Sequence, residues 1–155
     1  MTLALDTTAL LARFLSGPTR ATVVDAMADD GDWCASALAL TEALMLVDRL
    51  TDPGQAVVLR RALRDDWDCF AVVPVDQVCL DRAADLGRQH PLRTTDAIHL
   101  AAADRLPRPT TYLTFDAHQI PVALALGLDV VSTATPGRSG RSAGTGRHPG
   151  GMLSS

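Results

Sequence analysis

Four acidic residues, Asp6, Glu42, Asp96 and Asp116, have the types and placement that chemistry would need. Asp6 closes the short apolar run Leu3-Ala4-Leu5, and Asp116 closes the run Thr111-Tyr112-Leu113-Thr114-Phe115. Asp96 opens an alanine-rich apolar stretch that runs to about Leu106, and Glu42 falls early in the stretch from Ser36 to Leu50. Each acid has an ordinary structural explanation. Asp6 and Asp116 suit helix caps, Asp96 suits the positive end of a helix dipole with Thr94 or Thr95 as the cap, and Glu42 suits a solvated helix face. Brought together, four carboxylates repel and raise one another's pKa unless a divalent cation neutralises them, and an all-oxygen set suits Mg²⁺ or Mn²⁺. Glu42 adds a further hint, because it is the single glutamate in a chain with 17 aspartates. A longer carboxylate reaches a shared site from a helix more easily.

The intervening residues decide whether the four acids meet. Apolar runs of strand length at Leu3 to Leu5, Trp33 to Ala35, Phe70 to Val75, Thr111 to Phe115 and Leu128 to Val131 alternate with stretches at helical spacing. Helices are expected over Thr7 to Leu15, Pro18 to Asp29, Ser36 to Leu50, Gln55 to Trp67, Asp76 to Arg88, Thr95 to Leu106 and Pro121 to Leu126, with Ser36 and Asp76 as caps. Strands separated by helices imply a parallel sheet in an α/β sandwich. In such a sheet ligands collect outside the carboxyl ends of the strands, where Asp6 and Asp116 fall. Helices return antiparallel to the strands, so their N-terminal turns lie near the same edge, and Asp96, opening one helix, and Glu42, in the first half of another, can converge with the two strand-end acids.

Composition narrows the partners. At 155 residues and 47% hydrophobic, the chain is long enough for one domain with a core. No apolar run approaches the roughly 18 residues of a membrane span, and no signal-like stretch follows Met1, so a cytoplasmic protein without a membrane partner is expected. Cys34, Cys69 and Cys79 are too far apart for a paired metal or redox motif and are expected as buried free thiols. All 14 basic residues are Arg, which removes lysine-dependent phosphate loops and imine chemistry. Three of them, Arg138, Arg141 and Arg147, follow Thr135, where no acid occurs, so residues 1–135 carry 11 Arg against 18 acids. That balance does not suit a broad duplex-DNA-binding face, but it is compatible with a carboxylate pocket that a metal neutralises. The division expected is a domain over residues 1–133 and a disordered Gly/Ser/Arg tail over 134–155.

The segments Leu5-Asp6-Thr7-Thr8-Ala9-Leu10, Ser36 to Glu42, Arg93-Thr94-Thr95-Asp96-Ala97-Ile98-His99-Leu100-Ala101 and Leu113-Thr114-Phe115-Asp116 closely resemble the PIN-domain family, in particular the VapC-type toxin ribonucleases of bacterial type II toxin–antitoxin pairs. The resemblance runs over residues 2–132. It implies a three-layer sandwich with a central parallel sheet of about five strands flanked by helices. It also implies that Asp6, Glu42, Asp96 and Asp116 are the acidic quartet that binds Mg²⁺ or Mn²⁺ and cleaves RNA, supported by the hydroxyls of Thr8 and Thr114. A homodimer and a cognate antitoxin are implied as partners. Many relatives carry a further acid after the position of Asp116; here Ala117, His118, Gln119 and Ile120 follow, which bears on a second ion. Arg93 is placed to meet a phosphate or to form a surface ion pair, and His118 is expected as a solvent-facing loop residue. His99, three residues past Asp96 on the same helix face, is expected to pack against the next helix with one hydrogen bond. Two other functions remain compatible with these residues: a non-catalytic PIN-like binding module, and an RNA-maturation nuclease with no toxin role.

Overall fold

The short apolar runs form strands, the longer periodic stretches form helices, and the two alternate. The computed structural model describes residues 1–132. Strands β1 (Thr2–Leu5), β2 (Asp32–Ser36), β3 (Ala71–Val73), β4 (Thr110–Leu113) and β5 (Asp129–Val131) pair in the order β3-β2-β1-β4-β5, every pair parallel. Around them run α1 (Thr7–Ala12), α2 (Arg20–Asp29), α3 (Ala37–Leu50), α4 (Pro53–Trp67), α5 (Gln77–Gln89), α6 (Thr94–Asp104) and α7 (Gln119–Ala125). The expected α/β sandwich with a five-stranded parallel sheet is what forms. The tail expected over 134–155 lies outside the described residues.

Alternation along the strands divides the core into two layers. Leu3, Leu5 and Leu113 pack with Leu10, Val47, Leu63 and Phe70 on the face covered by α1 to α4. Ala4 and Tyr112 point the other way, onto Cys79, Leu86, Leu100 and Val122 from α5 to α7. Both faces are covered, as a parallel sheet requires. Each fully buried leucine contributes about 1.5–3 kcal/mol relative to exposure. Helix α6 is buried from Asp96 through Ala103, and its alanines let it lie close to the sheet, so its acid is carried into the interior.

Topology then fixes where the acids come out. The chain leaves β1 for β2 and β3 and returns across β1 to add β4 and β5, so the strand order reverses between β1 and β4, where open α/β sheets form their binding crevice. Leu5 is in register with Leu113 on one side and Ala35 on the other, so Asp6, Thr114 and Ser36 leave the sheet side by side.

Several local details differ from expectation. Helix α2 starts at Arg20 rather than Pro18, and α4 starts at Pro53, with the Asp52 carboxylate accepting from the Gly54 and Gln55 amides at 2.9 and 3.0 Å. Asp76 caps α5 as expected, accepting from the Cys79 amide at 2.9 Å. Neither Thr94 nor Thr95 caps α6; the cap position belongs to Arg93, whose extended backbone serves without a side-chain bond. Ser36 occupies the cap position of α3, but its hydroxyl is directed elsewhere. Cys34 and Cys79 are buried, whereas Cys69 is exposed because it lies in the turn between α4 and β3.

Candidate active site

Asp6 shows how one carboxylate serves fold and site together. It caps α1 through the Ala9 amide at 2.8 Å, and it accepts from the Thr8 hydroxyl at 2.9 and 3.0 Å and the Thr114 hydroxyl at 2.7 Å. Only 1% of Asp6 is exposed, and burial pushes its carboxyl above the usual value although the Ala9 amide and the two hydroxyls oppose this. Thr114, in turn, accepts from the Asp116 amide at 3.1 Å and so ties the two strand ends together.

Asp96 and Asp116 are joined by one side chain. The Arg93 guanidinium donates to Asp96 Oδ2 and Oδ1 at 2.7 and 3.1 Å, and its Nη2 also reaches Asp116 Oδ2 at 2.8 Å. Of the two readings of Arg93, the ion pair is the one formed, with the guanidinium as a planar two-point donor to Asp96. The other oxygen of Asp116 accepts from the His118 amide at 2.8 Å and stands 3.2 Å from its ring Nδ1. Burial pushes the Asp116 carboxyl up, but the His118 amide, the His118 ring and the Arg93 charge together hold it below its ordinary value. His118 is solvent-facing, as expected, yet it touches an acid of the cluster.

Gln119 closes the remaining gap. Its side-chain Nε2 donates to Asp96 Oδ1 at 3.0 Å and approaches Asp6 Oδ2 at 3.3 Å, and its Oε1 accepts from the Tyr112 hydroxyl at 2.6 Å. Reversing the amide would set its oxygen against two carboxylates, so the tyrosine contact and the acids agree on one orientation. Tyr112 is fully buried, and burial together with the nearby Asp6, Asp96 and Asp116 pushes its phenol well above the ordinary value. It therefore stays a donor.

Glu42 is served by a separate network. Its Oε2 accepts from the Thr7 hydroxyl at 2.7 Å and from His99 Nε2 at 2.6 Å, while His99 Nδ1 lies 2.8 Å from the Ser36 hydroxyl. The carboxylate has no proton to give, so Nε2 carries the hydrogen that Glu42 accepts. The His99 bond holds the Glu42 carboxyl below its ordinary value, against a smaller upward push from burial and with help from Thr7. His99 thus makes more than the one expected bond, because the close packing of α6 on the sheet carries it to both Glu42 and the end of β2.

Two hollows meet at this cluster. A cleft of about 420 Å³ is lined by Asp6, Thr8, Glu42, Asp96 and Gln119 at its acidic end, with Leu38, Met45 and Leu46 of α3 forming an apolar wall that ends at Arg49. A smaller hollow of about 300 Å³ is lined by Pro91, Arg93, Asp96, Asp116 and His118. Arg93 and Asp96 border both, so the arginine side chain divides one hollow from the other.

Among the described residues, no three acidic, imidazole or thiol groups stand close enough to grip one ion as the side chains lie. The cause is visible, since N–H groups of Arg93 and Gln119 occupy the spaces between the carboxylates. The two donors differ, however. The Arg93 side chain is 71% exposed and stands between two acids as a cation, so a hard divalent ion of the same sign fits the oxygen donors it would release. Asp6 already accepts from four donor groups, about the limit of a carboxylate, and the exposed Thr8 hydroxyl is the one most easily exchanged.

The structure therefore gathers Asp6, Asp96 and Asp116 with Thr8, Thr114 and Arg93, and it places Glu42 on the wall of the same cleft. The sequence reading missed Thr7, Gln119 and Tyr112 and understated Ser36 and His99. Thr7, beside Asp6, and Gln119, three residues after Asp116, were within reach of spacing arguments. Tyr112 was hidden as an ordinary inward-facing strand residue.

A family model described as PIN domain matches residues 3–106, the stretch that holds Asp6, Glu42 and Asp96. No curated protein matches the chain. Among solved structures, FitAB bound to an IR36 DNA fragment is similar with a TM-score of 0.68 at 18% identity, covering 89% of this chain and 99% of that one. FitAcB from Neisseria gonorrhoeae gives a TM-score of 0.65 at 20% identity, covering 83% of this chain and 95% of that one. VapBC-5 from Mycobacterium tuberculosis, described as a member of the VapBC family of toxin–antitoxin systems, gives 0.59 at 18% identity, covering 85% and 98%. At these identities the likeness establishes the fold.

Proposed function

The chain belongs to the PIN-domain family, and from that premise we propose that it is a divalent-cation-dependent endoribonuclease acting as the toxin of a type II toxin–antitoxin pair. The observation that carries the nuclease reading is the gathering of three carboxylates at the strand-order reversal, with an exposed guanidinium as the bridging cation between Asp96 and Asp116. Toxin identity is supported by the similar structure described as belonging to a toxin–antitoxin family.

Asp6, Asp96 and Asp116 are the residues that would hold the ion. Bound there, Mg²⁺ or Mn²⁺ supplies charge neutralisation at a phosphate and a lowered pKa for water. Glu42, kept ionised by His99 and Thr7, accepts a hydrogen bond from the attacking water and orients it. Arg93, once displaced from Asp96 and Asp116, offers paired N–H donors to a non-bridging phosphate oxygen. Thr114 holds the Asp6 carboxylate in place, and Thr8, whose bond to Asp6 the ion would replace, flanks it. Water oxygen bonds to phosphorus as the bond to the 3′ oxygen breaks, the water's proton passes to solvent, and a solvent proton passes to the 3′ oxygen. The products are 5′-phosphate and 3′-hydroxyl ends. Single-stranded or looped RNA is the substrate form, since its backbone is open to a cleft of this size.

The partners follow from the same reading: a homodimer, and a cognate antitoxin whose basic side chain meets the acids when RNA is absent. No helix among the described residues is long and apolar enough to cross a membrane, and the proposed site of action is the cytoplasm. The test is cleavage of labelled total RNA by purified protein with and without Mg²⁺ or Mn²⁺, beside Asp96→Asn. Metal-dependent cuts that the variant lacks are expected. Absence of cuts from folded, antitoxin-free protein would replace this reading by that of a non-catalytic binding module, and a chromosomal setting without a small antitoxin gene would favour RNA maturation.

A further inference from the structure

We propose that Gln119, oriented by Tyr112, is a positioning residue that restricts the carboxylate cluster to one divalent cation per chain; the inference rests on the metal-dependent reading above. Three carboxylates in a row have two gaps between them, and the structure fills the two gaps differently. Between Asp6 and Asp96 stands the Gln119 amide, 2% exposed, with Nε2 shared between Asp6 Oδ2 and Asp96 Oδ1. Between Asp96 and Asp116 stands the Arg93 guanidinium, whose side chain is 71% exposed.

The buried filling is permanent. Moving Gln119 away would strip the Tyr112 hydroxyl of its acceptor at 2.6 Å in a position that water does not reach, since Tyr112 is 1% exposed. Its carbonyl is committed to the tyrosine, so it cannot turn to join a set of metal ligands, and its N–H group has no lone pair for a cation. The exposed filling is exchangeable, since Arg93 can leave its two acids for solvent or for a phosphate. One gap is therefore open to the ion that the three acids would share, Asp6 in place of its exchangeable Thr8 bond, and the other is closed to a second ion by a neutral donor. A neutral amide here also spares the site a further negative charge, which would demand a second cation.

The test is an Mn²⁺ titration of the full chain, stripped with chelator, with free Mn²⁺ read by electron paramagnetic resonance and melting temperature followed in parallel. Wild type is expected to bind one ion per chain. Gln119→Glu is expected to bind two, with a larger Mn²⁺-induced rise in melting temperature than wild type, because a third acid now flanks the inner gap. Tyr112→Phe, which frees the amide to turn its carbonyl toward Asp6 and Asp96, is expected to admit a second ion more weakly than Gln119→Glu does. A merely structural role for Gln119 would leave the ion count unchanged. Two ions in wild type, or one ion and an unchanged thermal response in Gln119→Glu, would overturn the inference while leaving the nuclease reading intact. No ion in wild type would overturn both. Should Gln119→Glu fail to fold, the wild-type count and an unaltered ion count in Tyr112→Phe remain able to overturn it.

Discussion

Asp6 and Glu42 line the same cleft and carry the same charge, yet they are held in opposite ways. Asp6 is almost wholly buried among neutral donors, the Ala9 amide, the Thr8 and Thr114 hydroxyls and the Gln119 amide, and burial leaves its carboxyl above the ordinary value. Glu42 has a quarter of its side chain exposed and is gripped by His99 and Thr7, which leaves its carboxyl below the ordinary value. A buried carboxylate with no positive partner in contact gains most from an incoming cation. One stabilised in its ionised form stays an acceptor that can orient water. The two ends of the cleft thus divide the work between holding an ion and orienting the water.

The largest effect that can break this comparison comes from removing each charge in turn. Asp6→Asn and Glu42→Gln are both expected to lower cleavage by about 100-fold or more, on the scale of losing one preorganised electrostatic group. Mn²⁺ binding should separate them, weakened in Asp6→Asn and largely kept in Glu42→Gln. Equal loss of binding in both would merge the two roles. Both variants should fold, because asparagine caps α1 as well as aspartate does and glutamine keeps an oxygen to accept from Thr7 and His99.

A smaller effect is expected from His99→Leu, which leaves the Ser36 hydroxyl without its ring partner and Glu42 with fewer donors. Cleavage should fall on the order of tenfold, and unfolding free energy by about 1–3 kcal/mol, read from denaturant titration. An unchanged rate would mean that His99 serves packing alone.

The smallest effect is on the acid limb of stability, and its sign differs between the two ends. Asp6, with a folded pKa above its ordinary 3.8, favours the folded state below that pH, and its contribution is lost as pH rises through the folded value. Glu42, with a folded pKa below its ordinary 4.5, stabilises above that pH, and its contribution is lost as pH falls through the folded value. Glu42→Gln should therefore flatten the loss of stability on acidification, whereas Asp6→Asn should gain on wild type as pH rises past that window. Parallel pH curves for the two variants would remove the distinction.

Much of the frame was legible because it follows from local rules. The apolar runs at β1 and β4 ended where Asp6 and Asp116 stand, and alternation of strands with helices dictated a parallel sheet with its crevice at their carboxyl ends. What sequence could not give were partners chosen by packing. The hydroxyl of Ser36 fits a helix cap by local rules, yet His99, 63 residues away, takes it. Tyr112 reads as one more inward-facing strand residue until its hydroxyl is seen to orient Gln119. Cys69 reads like the other two thiols, and only the turn after α4 places it outside. In each case a contact between distant elements overrode a local preference.

The most direct test of the central claim uses protein dialysed against chelator and an end-labelled single-stranded RNA. Wild type should leave the RNA intact until Mg²⁺ or Mn²⁺ is restored and then cut it to 5′-phosphate and 3′-hydroxyl ends, while folded Asp6→Asn stays inert under either ion. Cleavage that survives the chelator, or cleavage by folded Asp6→Asn at the wild-type rate, would contradict it.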